Sequence, residues 1–220
     1  AVQYGQKVVV YIRKSVVASD ACPITKPSML KGCLNPLSTC GVTLQGPRGP
    51  ASIMPSIAVL AATNDRNLAL AERFADAVQS AGGEAHVVAL AALDMPIFTT
   101  AESKENGAPA ALDGLWDQMA AADGWLVCAP EYNGSTPPTL VNAITWLSTR
   151  WQDFRALFNG RPVALATSSG GGGEYIITAM RNQFLFLGCD VIGRSIIEKK
   201  GEDAKQESID HLVERLLSRC

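Results

Sequence analysis

IAVLAATNDRNLALAERFADAVQSAGGEAHVVAL, running from Ile57 to Leu90, decides the architecture. Ile57–Ala62 is a continuous apolar run, the pattern of a strand buried on both faces of a parallel sheet. Leu68, Leu70, Ala71, Phe74, Ala75 and Val78 follow at helical spacing, and Gly82-Gly83 ends that helix. Ala85–Leu90 reads as a second strand. A long polar connection passes through Asp94-Met95-Pro96 to about Pro109, and the alternation then resumes. Helices are expected at Ala110–Ala122, Pro137–Leu147, Tyr175–Leu187 and Ala204–Ser218, with strands at Gly124–Ala129, Pro162–Thr167 and around Val191–Ile197. Five strands alternating with five helices predict an α/β fold, a doubly wound five-stranded parallel sheet. Right-handed crossovers leave few topologies, and strand order 2-1-3-4-5 is the one expected. Ligands of such sheets sit beyond the carboxyl ends of the strands at the switch point, which directs attention to the loops after strands one, three and four.

Upstream, residues 1–53 differ in character. They hold six basic residues against a single acid, Asp20, whereas the rest of the chain holds 13 basic and 20 acidic residues. Pro23, Pro27, Pro36, Pro47 and Pro50 interrupt any periodic element, although Lys7–Val17 has the composition of a strand. The segment is expected to be an appended piece, poorly ordered or loosely packed, with Met54 the natural start of a domain covering 54–220. A transit peptide is the weaker reading, because arginines are few.

Composition excludes several functions. The 220 residues carry a formal charge of −2, which offers no basic face for nucleic acid, and no apolar run is long enough to span a membrane. Two histidines argue against a histidine-rich metal site. None of the six cysteines forms a C-x-x-C pair, and Cys128 and Cys189 sit in apolar surroundings. They read as reduced core thiols of a cytoplasmic protein.

The loop after strand three is Ala129-Pro130-Glu131-Tyr132-Asn133-Gly134-Ser135-Thr136-Pro137-Pro138. Thr136 is expected to cap the next helix, Pro137 suits its first turn, and Gly134 admits backbone geometry that lets a flat ligand approach. Residue types alone leave a well-made turn and a binding loop equally open. After strand one, Thr63, Asn64, Asp65, Arg66 and Asn67 enter a helix N-terminus, where exposed amides favour a phosphate. After strand four comes Ser168-Ser169-Gly170-Gly171-Gly172-Gly173. It lacks both the P-loop ending and G-x-G-x-x-G spacing, and a glycine run is more often a connector than a cradle.

Pro130–Ser148, PEYNGSTPPTLVNAITWLS, resembles the P-E-Y-N signature of the NADPH-dependent FMN reductase family, which includes quinone, azo-dye and chromate reductases. The resemblance implies a flavodoxin-like fold, non-covalent FMN and two-electron transfer from NADPH or NADH. It implies that main chain of Pro130, Glu131, Tyr132, Asn133 and Gly134 lines the isoalloxazine ring, with Ser169, Gly170 and Gly171 on its far side. The family's longer G-S-x-R-x-x-S-x-N loop is altered here, with Thr63, Asn64, Arg66 and Asn67 standing in for its phosphate donors and Asp65 adding a negative charge. No side chain is required as a general base, because the flavin carries the hydride chemistry and the acceptor is a small molecule. A ping-pong cycle over one open ring face is expected; the alternative is a flavodoxin-like FMN-binding or interaction protein without turnover. A homodimer or homotetramer is expected as well. Trp146, Trp151, Phe154 and Phe158 crowd what reads as a loop and are expected to form a partner surface, the alternative being that they pack within one chain under the Arg150–Gly160 connection. Glu131, pointing out of its turn, is placed to meet Arg150 or Arg155 of a neighbour, as similar reductases suggest.

Overall fold

The computed structural model describes residues 54–220, so the expected appended segment 1–53, with the strand-like Lys7–Val17, its five prolines and Cys22, Cys33 and Cys40, lies outside the described residues. Five strands, β1 (Ser56–Ala61), β2 (Glu84–Ala89), β3 (Gly124–Cys128), β4 (Pro162–Ser168) and β5 (Asp190–Glu198), form one parallel sheet in the order β2-β1-β3-β4-β5. In β1, β3 and β4 nearly every side chain is buried, which is why these strands read as unbroken apolar runs. The edge strand β5 instead alternates, burying Ile192, Ile196 and Glu198.

Helices α1 (Arg66–Ser80) and α7 (Gln206–Leu217) cover one face, packing Phe74, Val78, Leu212 and Leu216 on Ile57, Val59, Leu126 and Ala164. The other face carries α3 (Ala111–Ala121), α4 (Pro138–Ser148) and α6 (Glu174–Leu187). Two short helices not foreseen, α2 (Thr100–Glu105) and α5 (Phe154–Phe158), bring the number to seven among the described residues. The close of α1 follows the double glycine: Gly82 takes φ +83°, and a Cβ on Gly83 would stand 2.9 Å from Val78 Cγ1. No helix among the described residues is long and apolar enough to cross a membrane.

Pairing between β4 and β5 steps from Val163↔Val191 to Leu165↔Ser195, so β5 spends four residues where β4 spends two. Arg181 of α6 accommodates the bulge by donating to the Ile192 and Gly193 carbonyls at 3.0 and 3.1 Å and to Ser195 Oγ at 2.9 Å.

The aromatic cluster requires correction. Trp146 lies fully buried in α4, donates its indole N–H to the Pro96 carbonyl at 2.8 Å and meets Phe98 edge-on at 5.1 Å. Phe158 is also fully buried, edge-on to Trp125 at 5.4 Å. Trp146 is a core residue of α4, covered by the connection after β2, and Phe158 is one because α5 turns the expected loop back onto the core. Phe154 is partly buried under the Arg155 guanidinium at 4.8 Å, and Trp151 alone of the four stays 79% exposed.

Candidate functional site

The strand order puts the carboxyl ends of β1, β3 and β4 side by side, with the switch point between β1 and β3. All three loops singled out from the sequence therefore converge on one edge of the sheet.

After β1, Ala62 continues the ladder by donating to the Cys128 carbonyl at 2.9 Å. Thr63 Oγ1 donates to Asp65 Oδ1 at 2.9 Å. Asp65 occupies the cap position of α1 without capping through its side chain, and its carbonyl receives the Leu68 and Ala69 amides. The amides of Thr63, Asn64, Asp65, Arg66 and Asn67 find no partner among the described residues, as an anion-ready helix start requires. Asn64 and Arg66 are exposed, and Arg66 Nη2 reaches the Lys199 carbonyl at 3.0 Å, after β5. Asn67 is buried and bonds both ways with the Ser168 main chain, Nδ2 to the carbonyl and Oδ1 from the amide, each at 2.9 Å. Its side chain is thus spent on tying α1 to the end of β4.

After β3, Tyr132 and Ser135 exchange two main-chain hydrogen bonds at 3.1 and 2.9 Å around Asn133-Gly134. Asn133 has φ +52° and Gly134 φ +70°, the mirror-image turn that Asn-Gly supports best. The turn presents Tyr132 with 45% of its surface exposed. Pro137, not Thr136, caps α4, and Pro138 fills its first position; the tandem proline shifted the boundary by one residue. Thr139 Oγ1 then donates to the Ala62 carbonyl at 2.6 Å. Sequence reasoning missed Thr139, and it also missed Asn142, which accepts the Phe98 amide at 2.8 Å and anchors the connection after β2.

After β4, the Ser169 amide donates to the Glu198 carbonyl at 2.9 Å, and Ser169 Oγ accepts the Gly171 amide at 3.3 Å. Gly170 has nothing within 4 Å of where a Cβ would stand, so its surface is open main chain. Gly173 differs: at φ +82° a Cβ would press to 2.8 Å from Ile197 Cγ2 and 3.0 Å from Thr167 Cγ2. Glu131 does not point outward. Its Oε2 accepts the Tyr175 and Ile176 amides, each at 3.2 Å, at the start of α6. Arg150 is likewise engaged within the chain, paired with Asp113 and lying 4.7 Å over the Trp116 ring.

The residues present fit a flavin phosphate and a flat ring. Beside the free amides of α1, the buried hydroxyls of Thr167 and Ser168 lack partners at the end of β4, and Ser168 lies on the sheet face that α1 covers. Open glycine main chain and the Asn-Gly turn flank the same edge. Among the described residues nucleophilic thiol chemistry finds no support: burial and the nearby Glu198 push the Cys128 thiol well up, and burial pushes Cys189 to about 12 and Cys220 to about 11.

A doubly wound sheet with free amides at a helix start and glycine turns at the carboxyl ends of its strands defines an α/β class of protein suited to a phosphate-bearing ligand. Within that class the chain belongs to the NADPH-dependent FMN reductase family, whose model matches residues 55–203. It is 35% identical over 135 residues to a quinone reductase of Escherichia coli (strain K12), covering 56% of this chain and 70% of that one. An NADPH azoreductase of Bacillus sp. (strain OY1-2) is 27% identical over 132 residues, 56% of this chain and 70% of that one. Among solved structures, the flavoenzyme FerB, an NAD(P)H:(acceptor) oxidoreductase from Paracoccus denitrificans, superposes with a TM-score of 0.63 at 20% identity, over 75% of this chain and 96% of that chain; this likeness speaks to the fold. The chain is accordingly an NAD(P)H-dependent oxidoreductase with FMN as its cofactor.

Proposed function

We propose that FMN seats on the shared edge of β1, β3 and β4 and serves a ping-pong reduction of quinones or similar small acceptors. The observation that carries this reading is the row of unpartnered amides from Thr63 to Asn67 at the start of α1, beside the unpartnered Ser168 hydroxyl. These groups would receive the phosphate, with Asn64 as the adjacent side-chain donor and Thr63 joining it once its hydroxyl turns from Asp65 Oδ1 toward the anion. Arg66, held on the Lys199 carbonyl, supplies positive charge at the rim and offsets Asp65. Main chain from Pro130 to Gly134 would run along the ring, and Ser169, Gly170 and Gly171 would face it from β4. When bound, FMN supplies hydride acceptance and donation. The chain's part is to orient the ring, offer donors to its polar edge and leave one face open to reductant and acceptor in turn. Anaerobic NADPH addition to FMN-loaded protein tests the cycle. The flavin band should bleach and then return on addition of a quinone, whereas FMN that stays oxidised favours a binding protein without turnover.

The cycle belongs in the cytoplasm, in keeping with three free cysteines among the described residues. The protein also self-associates, a reading supported by large exposed aromatics, Trp151 and Phe186, each 79% exposed. Light scattering at tens of micromolar should give at least twice the chain mass; a strictly monomeric mass refutes the association.

A further inference from the structure

Three side chains tie the three loops to one another. Asn67 joins the start of α1 to the end of β4 through the Ser168 main chain. Thr139, at the start of α4, joins the segment after β3 to the segment after β1 through the Ala62 carbonyl. Glu131 joins the Asn133-Gly134 turn to the start of α6 through the Tyr175 and Ile176 amides. Each pair of loops thus has one tie, and each tie is a side chain gripping main chain across a long stretch of sequence. Of the three, the Glu131 contact is distinctive because a carboxylate meets a helix N-terminus. Charge-assisted bonds to backbone amides are the stronger kind, and the helix dipole adds to them.

From this geometry we infer that Glu131 is a positioning residue for the flavin site, closing a ring of ties that fixes the spacing between the Pro130–Ser135 turn and the glycine loop before ligand arrives. The inference rests on the reading that FMN lies between those two loops. Its Oε1 stands 4.0 Å from where a Cβ of Gly171 would be, so the carboxylate also backs the glycine loop. It takes the second and third amides of α6, those of Tyr175 and Ile176, and so satisfies most of that helix's exposed first turn. Without the carboxylate, α6 begins with unsatisfied amides and the glycine loop has no tie to the turn. Small displacements matter here, because a misplacement of about 1 Å in a positioned site costs on the order of a hundredfold in rate.

The test compares wild type with Glu131→Ala, Glu131→Gln and Glu131→Asp. Hydrogen exchange over Gly170–Met180 in FMN-free protein reads the tie itself, and titration with FMN reads its consequence. Tyr175 and Ile176 amides should exchange faster in Glu131→Ala, and FMN should bind about tenfold to a hundredfold more weakly. Glu131→Gln, which keeps one acceptor, should fall between; Glu131→Asp, one methylene short, should not rescue. Unchanged exchange in Glu131→Ala overturns the inference, as does faster exchange with FMN affinity unaltered, which would make Glu131 a helix cap and nothing more. If wild type itself fails to bind FMN while exchange still responds to the substitution, the flavin reading falls and the positioning role falls with it. That outcome is distinguishable because the parent protein fails too.

Discussion

Asn67→Ala should lower folding stability by roughly 2–4 kcal/mol and at the same time disable FMN binding. Asn67 is 1% exposed, and its amide satisfies both the amide and the carbonyl of Ser168, each at 2.9 Å. Removing it strands two buried main-chain groups, and each unsatisfied group costs about 1–3 kcal/mol. The same bonds hold the first turn of α1 against β4, so the free amides that await the phosphate lose their support. Urea unfolding monitored by tryptophan fluorescence measures the first effect, and FMN titration of the folded fraction the second. A loss below about 0.5 kcal/mol, the range of ordinary surface substitutions, would show that the loops are held by packing alone.

Trp146→Ala should be at least as damaging, by about 3–5 kcal/mol, as expected when a buried aromatic is truncated. The indole is fully buried, its N–H is satisfied by Pro96, and Phe98 packs edge-on against it. Truncation opens a cavity beneath α4 and frees the connection after β2, leaving the Pro96 carbonyl without that donor. Trp151→Ala is the control: its ring is 79% exposed, and at concentrations where the chain is monomeric its unfolding midpoint should hardly move. Equal losses in the two variants would contradict the assignment of Trp146 to the core.

The contrast between these tryptophans shows where the sequence was readable. Trp146 occupies a buried position of the helix expected over Pro137–Leu147, but it groups with exposed Trp151 as long as the stretch that forms α5 reads as a loop. A five-residue helix carries too few turns to show a period. Helix α2 did carry a signal: Thr99 accepts the Glu102 amide at 2.9 Å, and Thr-x-x-Glu is a capping-box pattern. The central strands were legible because burial on both faces demands continuous apolar residues. The Asn133-Gly134 turn was legible because its positive φ values restrict the residue types.

Partners of the site residues were not legible. Asn67 meets Ser168 across 101 positions, and Glu131 meets Tyr175 across 44. Nothing local marks such pairs, so Asn67 read as a phosphate donor and Glu131 as an outward charge. The three loops were located correctly as places, from strand order, before the ties among them were visible.

The central question for this protein is whether this edge of the sheet holds a flavin that nicotinamide can reduce. The most direct measurement is the absorbance spectrum of the purified protein with FMN, stripped of free cofactor and then taken through anaerobic NADPH addition. Retained flavin absorbance that bleaches with one equivalent of NADPH is the predicted result. A colourless protein that takes up no FMN into the high micromolar range, or bound FMN that NADPH leaves oxidised, would contradict it.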